Sequence, residues 1–437
     1  MADVQPLHGL RYVKEKVGAL AETITPPFDV IDAQAQAAYY ARNPYNVIRL
    51  ELGQKTPADT SLNTVYTRAA TTLAEWRLDG ILRQEHIPSY YLYQQNFTYA
   101  GQSYTRTSLI ARVRLAEWDE HVVLPHEHIR QKDKEDRLQL LRACSTNFSP
   151  IMSIYDDPQH RIRRLLSSYA NQPEVLITDE VGEEHLLQPI TDSAQIAQLQ
   201  DFFAQRQLYI ADGHHRYTTA LQYRNELRQQ YPAMDSEDAA NFVMMALVDI
   251  DDPGLLVLPT HRILNDLTTE QLQKLSLAQP GQHQNFQSVQ LSEQIDDETL
   301  LAQLAQAGEK SPSFILKTAD QTLLISISTQ GQQRMASSGH SASWNALDVA
   351  IVQKLLLEET LGITLEDITA GKFVRYEHDT TQALQQLRQQ KAQALILLNG
   401  LPFHAVRDVA LADDRMPAKS TYLYPKLATG LVMNPLW

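Results

Sequence analysis

The sequence predicts a mixed α/β protein of the α+β kind, with antiparallel hairpins and an additional C-terminal α/β subdomain. Three observations carry this. SYYLYQQNFTY and SYTRTSLIARVRL are rich in Tyr, Thr and branched residues and flank Ala100-Gly101-Gln102, which is a hairpin pattern. SFILKTA and TLLISIS make a second hairpin. Elsewhere strands and helices alternate, most clearly where GKFVRYEHD and ALILLNG flank a helical stretch at 381–390.

Taken in order, residues 1–60 are irregular, with turns at Thr25-Pro26-Pro27 and Asn43-Pro44. Between them PFDVI and NVIRLEL read as short strands. Residues 61–79 are helical, because Leu62, Val65, Tyr66, Ala69, Leu73 and Trp76 share one face and Gly80 follows as a stop. A helix at 132–143 precedes the strand SPIMSIYD, and a helix at 161–169 precedes the strand EVLITDE. A helix at 193–205 leads to the strand QLYIAD, which runs into a DGHH turn and a helix at 215–230. NFVMMALVDI is a nearly continuous apolar run of strand length, as a buried strand requires. After Pro259 the chain turns rich in Gln, Leu, Ala and Ser, so 267–329 reads as a subdomain or insertion. A helix at 348–358 follows. The end, MPAKSTYLYPKLATGLVM, reads as turn-rich and too irregular for a core element. The expected organisation is an N-terminal α/β domain over 1–260, an insertion or subdomain over 261–340, and a C-terminal α/β segment over 341–437.

A length of 437 residues fits two or three units, and the 43% apolar and 21% charged fractions are those of a globular protein. The net charge of −14 argues against a nucleic-acid partner, which is gripped by a basic surface. No apolar stretch reaches the ~20 residues of a membrane span, and the N-terminus lacks the apolar core of a secretory signal. A cytoplasmic protein is expected. Cys144 is the only cysteine, so no internal disulfide forms, and its apolar neighbours suit a buried residue better than a nucleophile. The oligomeric state is open.

Three segments carry candidate chemistry. In QLYIADGHHRYTTAL a strand ends at Asp212, and Gly213 allows a tight turn. His214, His215 and Arg216 then open a helix whose unpaired N–H groups favour an anion. Arg216 adds a bidentate phosphate grip, and Asp212 serves to orient a histidine or hold a cation. Adjacent histidines diverge, so zinc is disfavoured; the plain alternative is an Asp212 cap with surface histidines. In LPHEHIRQKDKEDRLQLL, His126 and Glu127 supply a general base or a metal ligand, His128 adjoins them, and Lys132 or Arg137 faces an anion. This is not the metalloprotease helix, because the second histidine follows at once. In MPAKSTYLYPKLATGL, Lys419, Ser420, Thr421 and Lys426 offer cations and hydroxyls without the glycine-rich run of a P-loop. TPPFDVI and NPYNVIRLE add Asp29, Asn46 and Arg49, which by chemistry alone suit structural turns.

Taken together, PPFDVI, NPYNVIRLELG, LPHEHIRQKDKEDRLQLL, IADGHHRYTTAL, LPTHRIL, GKFVRYEHD and MPAKSTYLYPKLATG resemble, in this order, the bacterial and archaeal domain-of-unknown-function family ten-fifteen. The likeness covers nearly the whole chain. The DGHHR turn is also similar to the ligand loop of the ParB and sulfiredoxin superfamily, which includes a free serine kinase. The resemblance implies a ParB/sulfiredoxin-like core and makes Asp212 to Arg216 the phosphate-contacting loop. Sulfiredoxin chemistry needs a cysteine in this loop, and none stands between Ile210 and Ala220. The DNA-binding domain of ParB proteins is not identifiable.

The resulting expectation is a small-metabolite phosphotransferase, a nucleotide-dependent kinase of free serine or a similar hydroxylated metabolite, using ATP or ADP and magnesium. His126, Glu127, Asp212, His214 and His215 are the catalytic candidates, with Glu127 or Asp29 as the carboxylate and Glu127 and Asp212 as metal ligands. Gly213, Arg216, Arg137, Lys419, Ser420, Thr421, Lys426, Asn46 and Arg49 are the candidates for holding the phosphorylated ligand. The alternatives are a nucleotide-binding regulator without turnover and a phosphatase of a phosphorylated metabolite.

Overall fold

The long Tyr- and Thr-rich segment folds as the expected hairpin. Tyr90–Tyr99 pairs antiparallel with Gln102–Arg114, and Ala100 and Gly101 turn the chain at φ values of 49° and 78°. Positive φ at both central positions matches the right-handed twist of the flanking strands. The structure is a computed structural model that describes residues 1–127, 131–171, 173–275 and 284–437, with the side chains of 131–134 not described. His128 and the side chain of Lys132 therefore lie outside the described residues.

The chain divides into two compact units. The first comprises 1–125, 129–256 and 425–437, and the second comprises 126–128 and 257–424. The start of the second unit falls near the composition change at Pro259, and its sheet draws strands from both 261–340 and 341–437.

The first unit is built on a mixed sheet. Its strands, in spatial order, are Val123–Leu124, Leu208–Asp212, Ile151–Tyr155, Phe242–Asp249, Gln102–Arg114, Tyr90–Tyr99, Glu184–Ile190 and Val175–Thr178. Val4–Gln5 adds to Gln102–Arg114. Every residue of Phe242–Asp249 is buried, as its unbroken apolar run requires. It pairs parallel with Ile151–Tyr155 on one side and antiparallel with Gln102–Arg114 on the other. Leu199 and Phe203 of the helix Ser193–Phe203 share one core with Tyr217 and Leu221 of the helix His214–Gln230 and with Ile210, Val243 and Met245 of the sheet. A second core gathers Leu10, Val47, Leu50, Leu73, Trp76, Leu140 and Met433 around the helix Val65–Leu78, whose Thr64 and Thr67 form a capping box.

Two short elements differ from the sequence reading. NVIRLEL is not a strand: Ile48–Glu51 is a single helical turn, because the Asn46 side chain accepts from the Ile48 N–H at 2.9 Å and starts it. PFDVI is not a strand either, but a tight turn over Phe28–Val30 after Pro27. The branched residues that suggested strands still serve burial, with Val47, Ile48 and Leu50 fully enclosed. The C-terminal run is largely irregular but includes a short strand, Tyr422–Tyr424, and Leu427, Leu431, Val432 and Met433 are core residues.

The second unit holds a six-stranded antiparallel sheet in the order Phe286–Gln290, Thr322–Ile327, Ser313–Lys317, Ala394–Leu397, His261–Leu264 and Val374–Glu377. The expected second hairpin is Ser313–Lys317 with Thr322–Ile327. The expected strand–helix–strand is Val374–Glu377, Thr380–Arg388 and Ala394–Leu397, with His261–Leu264 inserted between the two strands. Leu300 and Leu304 of Asp297–Gly308 and Ala383, Leu384 and Leu387 of Thr380–Arg388 pack with Ile263, Ile315, Leu395 and Leu397 of the sheet. No helix among the described residues is long and apolar enough to cross a membrane.

Candidate functional site

In the first unit the strand Leu208–Asp212 ends on an irregularity. Ile210 faces Ser153 and Asp212 faces Met152, so Ala211 is the extra residue of a bulge. A bulge re-aims the side chain that follows it, here the Asp212 carboxylate. Gly213 stands at φ 100° and ψ 27°, outside the range of an L side chain, and the helix His214–Gln230 begins immediately after it. No side chain caps that helix start, and the first intrahelical bond runs from Tyr217 N–H to the Gly213 carbonyl at 3.0 Å. Arg216 folds back beneath the turn. A Cβ on Gly213 would lie 3.0 Å from its Nε and Nη2 atoms. Gly213 is thus required twice, by its backbone angle and by the guanidinium beneath it.

Two cations converge on Asp212. Lys426 Nζ donates to Oδ2 at 3.1 Å, and Arg216 Nη2 lies 3.9 Å from the same oxygen. Burial alone raises a carboxylic acid's pKa. Here that push is outweighed by Lys426 first, then Arg216 and His214, which hold the carboxyl far below the usual range. Lys426 is brought to the sheet by its own backbone. Gln95 Nε2 donates to the Lys426 carbonyl at 2.9 Å, and the Ala428 N–H donates to the Tyr93 hydroxyl at 3.3 Å. Tyr93 in turn bonds His185 Nδ1 at 2.8 Å, and Arg106, 1% exposed, donates to Gln95 Oε1.

Behind Arg216 a buried polar chain runs into the core. Its Nη1 donates to the Pro150 carbonyl at 2.5 Å and to Ser149 Oγ at 3.2 Å. Ser149 Oγ donates to Glu51 Oε1 at 3.2 Å. Arg137 Nη1 lies 3.5 Å from that oxygen and donates to the Glu51 carbonyl at 2.9 Å. Arg137 also donates to Asp136 at 2.8 Å and stacks over the Phe28 ring at 4.0 Å. Phe28, Glu51, Arg137 and Arg216 come from four separate motif segments, and this network is what they share. Arg137 is 6% exposed and fully engaged, so it supports the turn from behind.

In the second unit the His-Glu segment meets the AKST loop. The Met416 N–H donates to the His126 carbonyl at 2.8 Å, His126 Nε2 lies 3.4 Å from Thr421 Oγ1, and the Lys419 N–H lies 3.5 Å from Glu127 Oε1. His126 is buried and meets Phe403 edge to face. Lys419 adopts φ 58°, and the Ser420 hydroxyl closes the loop on the Pro417 carbonyl at 2.5 Å. These two segments were read separately, and the structure holds them together.

Three further candidates lie in the N-terminal turns of the first unit. Asn46 is fully buried, and its amide donates to the Glu22 carbonyl at 2.7 Å and the Ile24 carbonyl at 3.3 Å. Arg49 donates to the Tyr40 carbonyl and stacks on the Tyr40 ring at 4.5 Å. Asp29 is exposed on its turn. Among the described residues, the triads of metal-ligating side chains that converge are His160, Asp249 and Asp251, and Asp179, Glu183 and His185; neither contains Glu127 or Asp212. The sequence reading missed Glu51, Ser149 and Gln95. The one available signal was Glu51, an acid inside the apolar run IRLEL.

Comparison with known proteins places the chain within a family model described as "Protein of unknown function (DUF1015)", which matches residues 4–350. No curated protein matches. Among solved structures, a free serine kinase in complex with AMP is similar at 11% identity and a TM-score of 0.35, over 74% of this chain and 92% of that one. A conserved hypothetical protein from Pyrococcus furiosus is similar at 13% identity and 0.35, over 74% and 95%. SbnI with a C-terminal truncation, from Staphylococcus aureus, is similar at 13% and 0.36, over 75% and 87%. A likeness at this level assigns nothing to the chain.

Proposed function

The chain belongs to the DUF1015 family, and we propose that it is a small-metabolite phosphotransferase, a nucleotide-dependent kinase of free serine or a similar hydroxylated metabolite. The single observation that carries this is the junction at Asp212. An uncapped start of a 17-residue helix, a glycine at φ 100°, and the Arg216 and Lys426 cations meet at one strand end. A helix start with two cations beside it suits a phosphate. In this reading the backbone at Gly213, His214 and His215 receives the phosphate, and Arg216 and Lys426 neutralise it. Asp212 sets the two cations in place. Within the second unit, His126 and Glu127 are the candidate general base, with Lys419, Ser420 and Thr421 as neighbouring donors. Phosphoryl transfer asks mainly for such positioning and charge neutralisation. The likeness of the turn to the ParB and sulfiredoxin ligand loop belongs to the same reading.

The test is incubation with ATP or ADP, magnesium and a panel of hydroxy acids and hydroxy amino acids, followed by phosphorus NMR. A phosphorylated metabolite supports transfer. Nucleotide binding without product favours a regulator, and phosphate released from phosphoserine without nucleotide favours a hydrolase. Either of the last two outcomes overturns the kinase reading.

A further inference from the structure

Glu51 is a carboxylate in an enclosed place. It is 4% exposed and sits at the wall of a cavity of about 50 Å³, which is also lined by Arg137, Ser149, Arg216 and Thr219. Its Oε1 reaches Arg216 through one hydroxyl: Ser149 donates to Glu51 at 3.2 Å and accepts from Arg216 Nη1 at 3.2 Å. Thr219 Oγ1, on the same helix as Arg216, is buried with no hydrogen-bond partner among the described residues. A cavity of this size beside polar groups is large enough for a water.

The charged and titratable groups around Glu51 come from each packed element. Arg137 and Cys144 lie on the helix Gln131–Cys144, Arg216 lies on His214–Gln230, and Asp29 lies on the Phe28–Val30 turn. Burial raises the Glu51 acid's pKa more than Arg137, Arg216 and Ser149 lower it. Each guanidinium is also shared with a second carboxylate, Arg137 with Asp136 and Arg216 with Asp212.

We propose that Glu51 is a positioning residue that brakes the anion grip: binding of an anion at Arg216 draws a proton onto Glu51, and an ionised Glu51 weakens that binding. The inference rests on the anion-grip reading above. An ionised Glu51 already satisfies part of the Arg216 charge and repels a second anion placed against the same guanidinium. A neutral Glu51 leaves Arg216 balanced by Asp212 alone. Anion and proton therefore favour each other, and the coupling is reciprocal. Anion affinity rises as pH falls through the raised Glu51 value.

The probe is sulfate, which remains a dianion across the range and so adds no titration of its own. It is titrated calorimetrically in buffers of differing ionisation enthalpy, into the full chain and into Glu51→Gln. His214 and His215 contribute equally to both proteins. The wild type takes up more protons than the variant, and its affinity gains about tenfold more on acidification, as expected for one charge acting across two hydrogen bonds at an effective dielectric near 20. Equal proton uptake in the two proteins overturns the inference and leaves the grip standing. No sulfate binding at all overturns the grip, and the inference with it. Should Glu51→Gln fail to fold, the wild type alone decides by infrared difference spectroscopy. Sulfate must increase a buried protonated-carboxyl band, and an unchanged band overturns the proposal.

Discussion

Gly213→Ala perturbs the turn with one methyl group and separates the two demands placed on that residue. The backbone stands at φ 100°, where an L residue is destabilised by about 2 kcal/mol. The added Cβ would also meet the Arg216 guanidinium at 3.0 Å. To move away, Arg216 must loosen its bonds to the Pro150 carbonyl and Ser149, and a hydrogen bond from a charged group contributes about 1.5–3 kcal/mol. The expected loss in urea unfolding is about 3.5–5 kcal/mol in all. The two terms separate in a double-mutant cycle. With Arg216→Ala in the background, Gly213→Ala should lose only the backbone part, giving a coupling of about 1.5–3 kcal/mol. Gly213→Ala alone should also weaken binding of ADP by at least tenfold in calorimetry, because Arg216 no longer lies beneath the turn. Additivity within about 0.5 kcal/mol, or wild-type ADP affinity in Gly213→Ala, would refute the claim that the glycine exists to seat the guanidinium.

Further outcomes follow from the same geometry. Lys426→Met leaves Asp212 with Arg216 as its remaining close cation. It should destabilise the first unit by roughly 2 kcal/mol, below the range for fully buried pairs because both side chains keep some exposure. The depressed Asp212 pKa means this stabilisation is present above the unfolded-state value and lost as pH falls through the folded one, so the wild type and variant should converge in acid melts. In the second unit, burial pushes the Asp348 acid up to about 6. A raised carboxyl pKa lowers stability as pH climbs from the unfolded value toward the folded one. Asp348→Asn should therefore raise the melting temperature at pH 8 and leave it nearly unchanged at pH 3.5. His261 shows the opposite sign, because burial lowers it to about 4. It is held neutral by the Leu398 N–H on Nδ1 and by Thr380 at Nε2. Its stabilisation is complete above pH ~6.5 and declines by about 3 kcal/mol as pH falls toward 4, a decline that His261→Gln should lack. Cys144, buried and pushed up to about 12, should resist thiol reagents in the native chain and react in urea.

The fold was legible where local chemistry and tertiary packing agree. The Tyr- and Thr-rich hairpin, the apolar face and Gly80 stop of Val65–Leu78 and the apolar Phe242–Asp249 strand each state their own conformation within a few residues. NVIRLEL misled because branched residues favour strands locally, whereas Asn46 bonds backbone groups 22 and 24 residues away and forces a helical turn. At the candidate site the residue types of the DGHHR turn and the C-terminal cations stood out in sequence. Their pairing did not, because Lys426 and Asp212 lie 214 positions apart. Glu51 was harder to place for the same reason: its position inside the apolar run IRLEL hinted at burial, but its neighbours Arg137, Ser149 and Arg216 lie on elements far along the chain.

The central claim is that the Asp212–Arg216 turn and Lys426 hold a phosphate. A crystal structure of the chain with ADP tests it most directly. The account predicts a phosphate oxygen within hydrogen-bond distance of the backbone N–H groups at the start of the His214–Gln230 helix, with Arg216 and Lys426 turned toward it. A nucleotide bound elsewhere, with the Lys426–Asp212 pair and the Gly213 turn untouched, would contradict it.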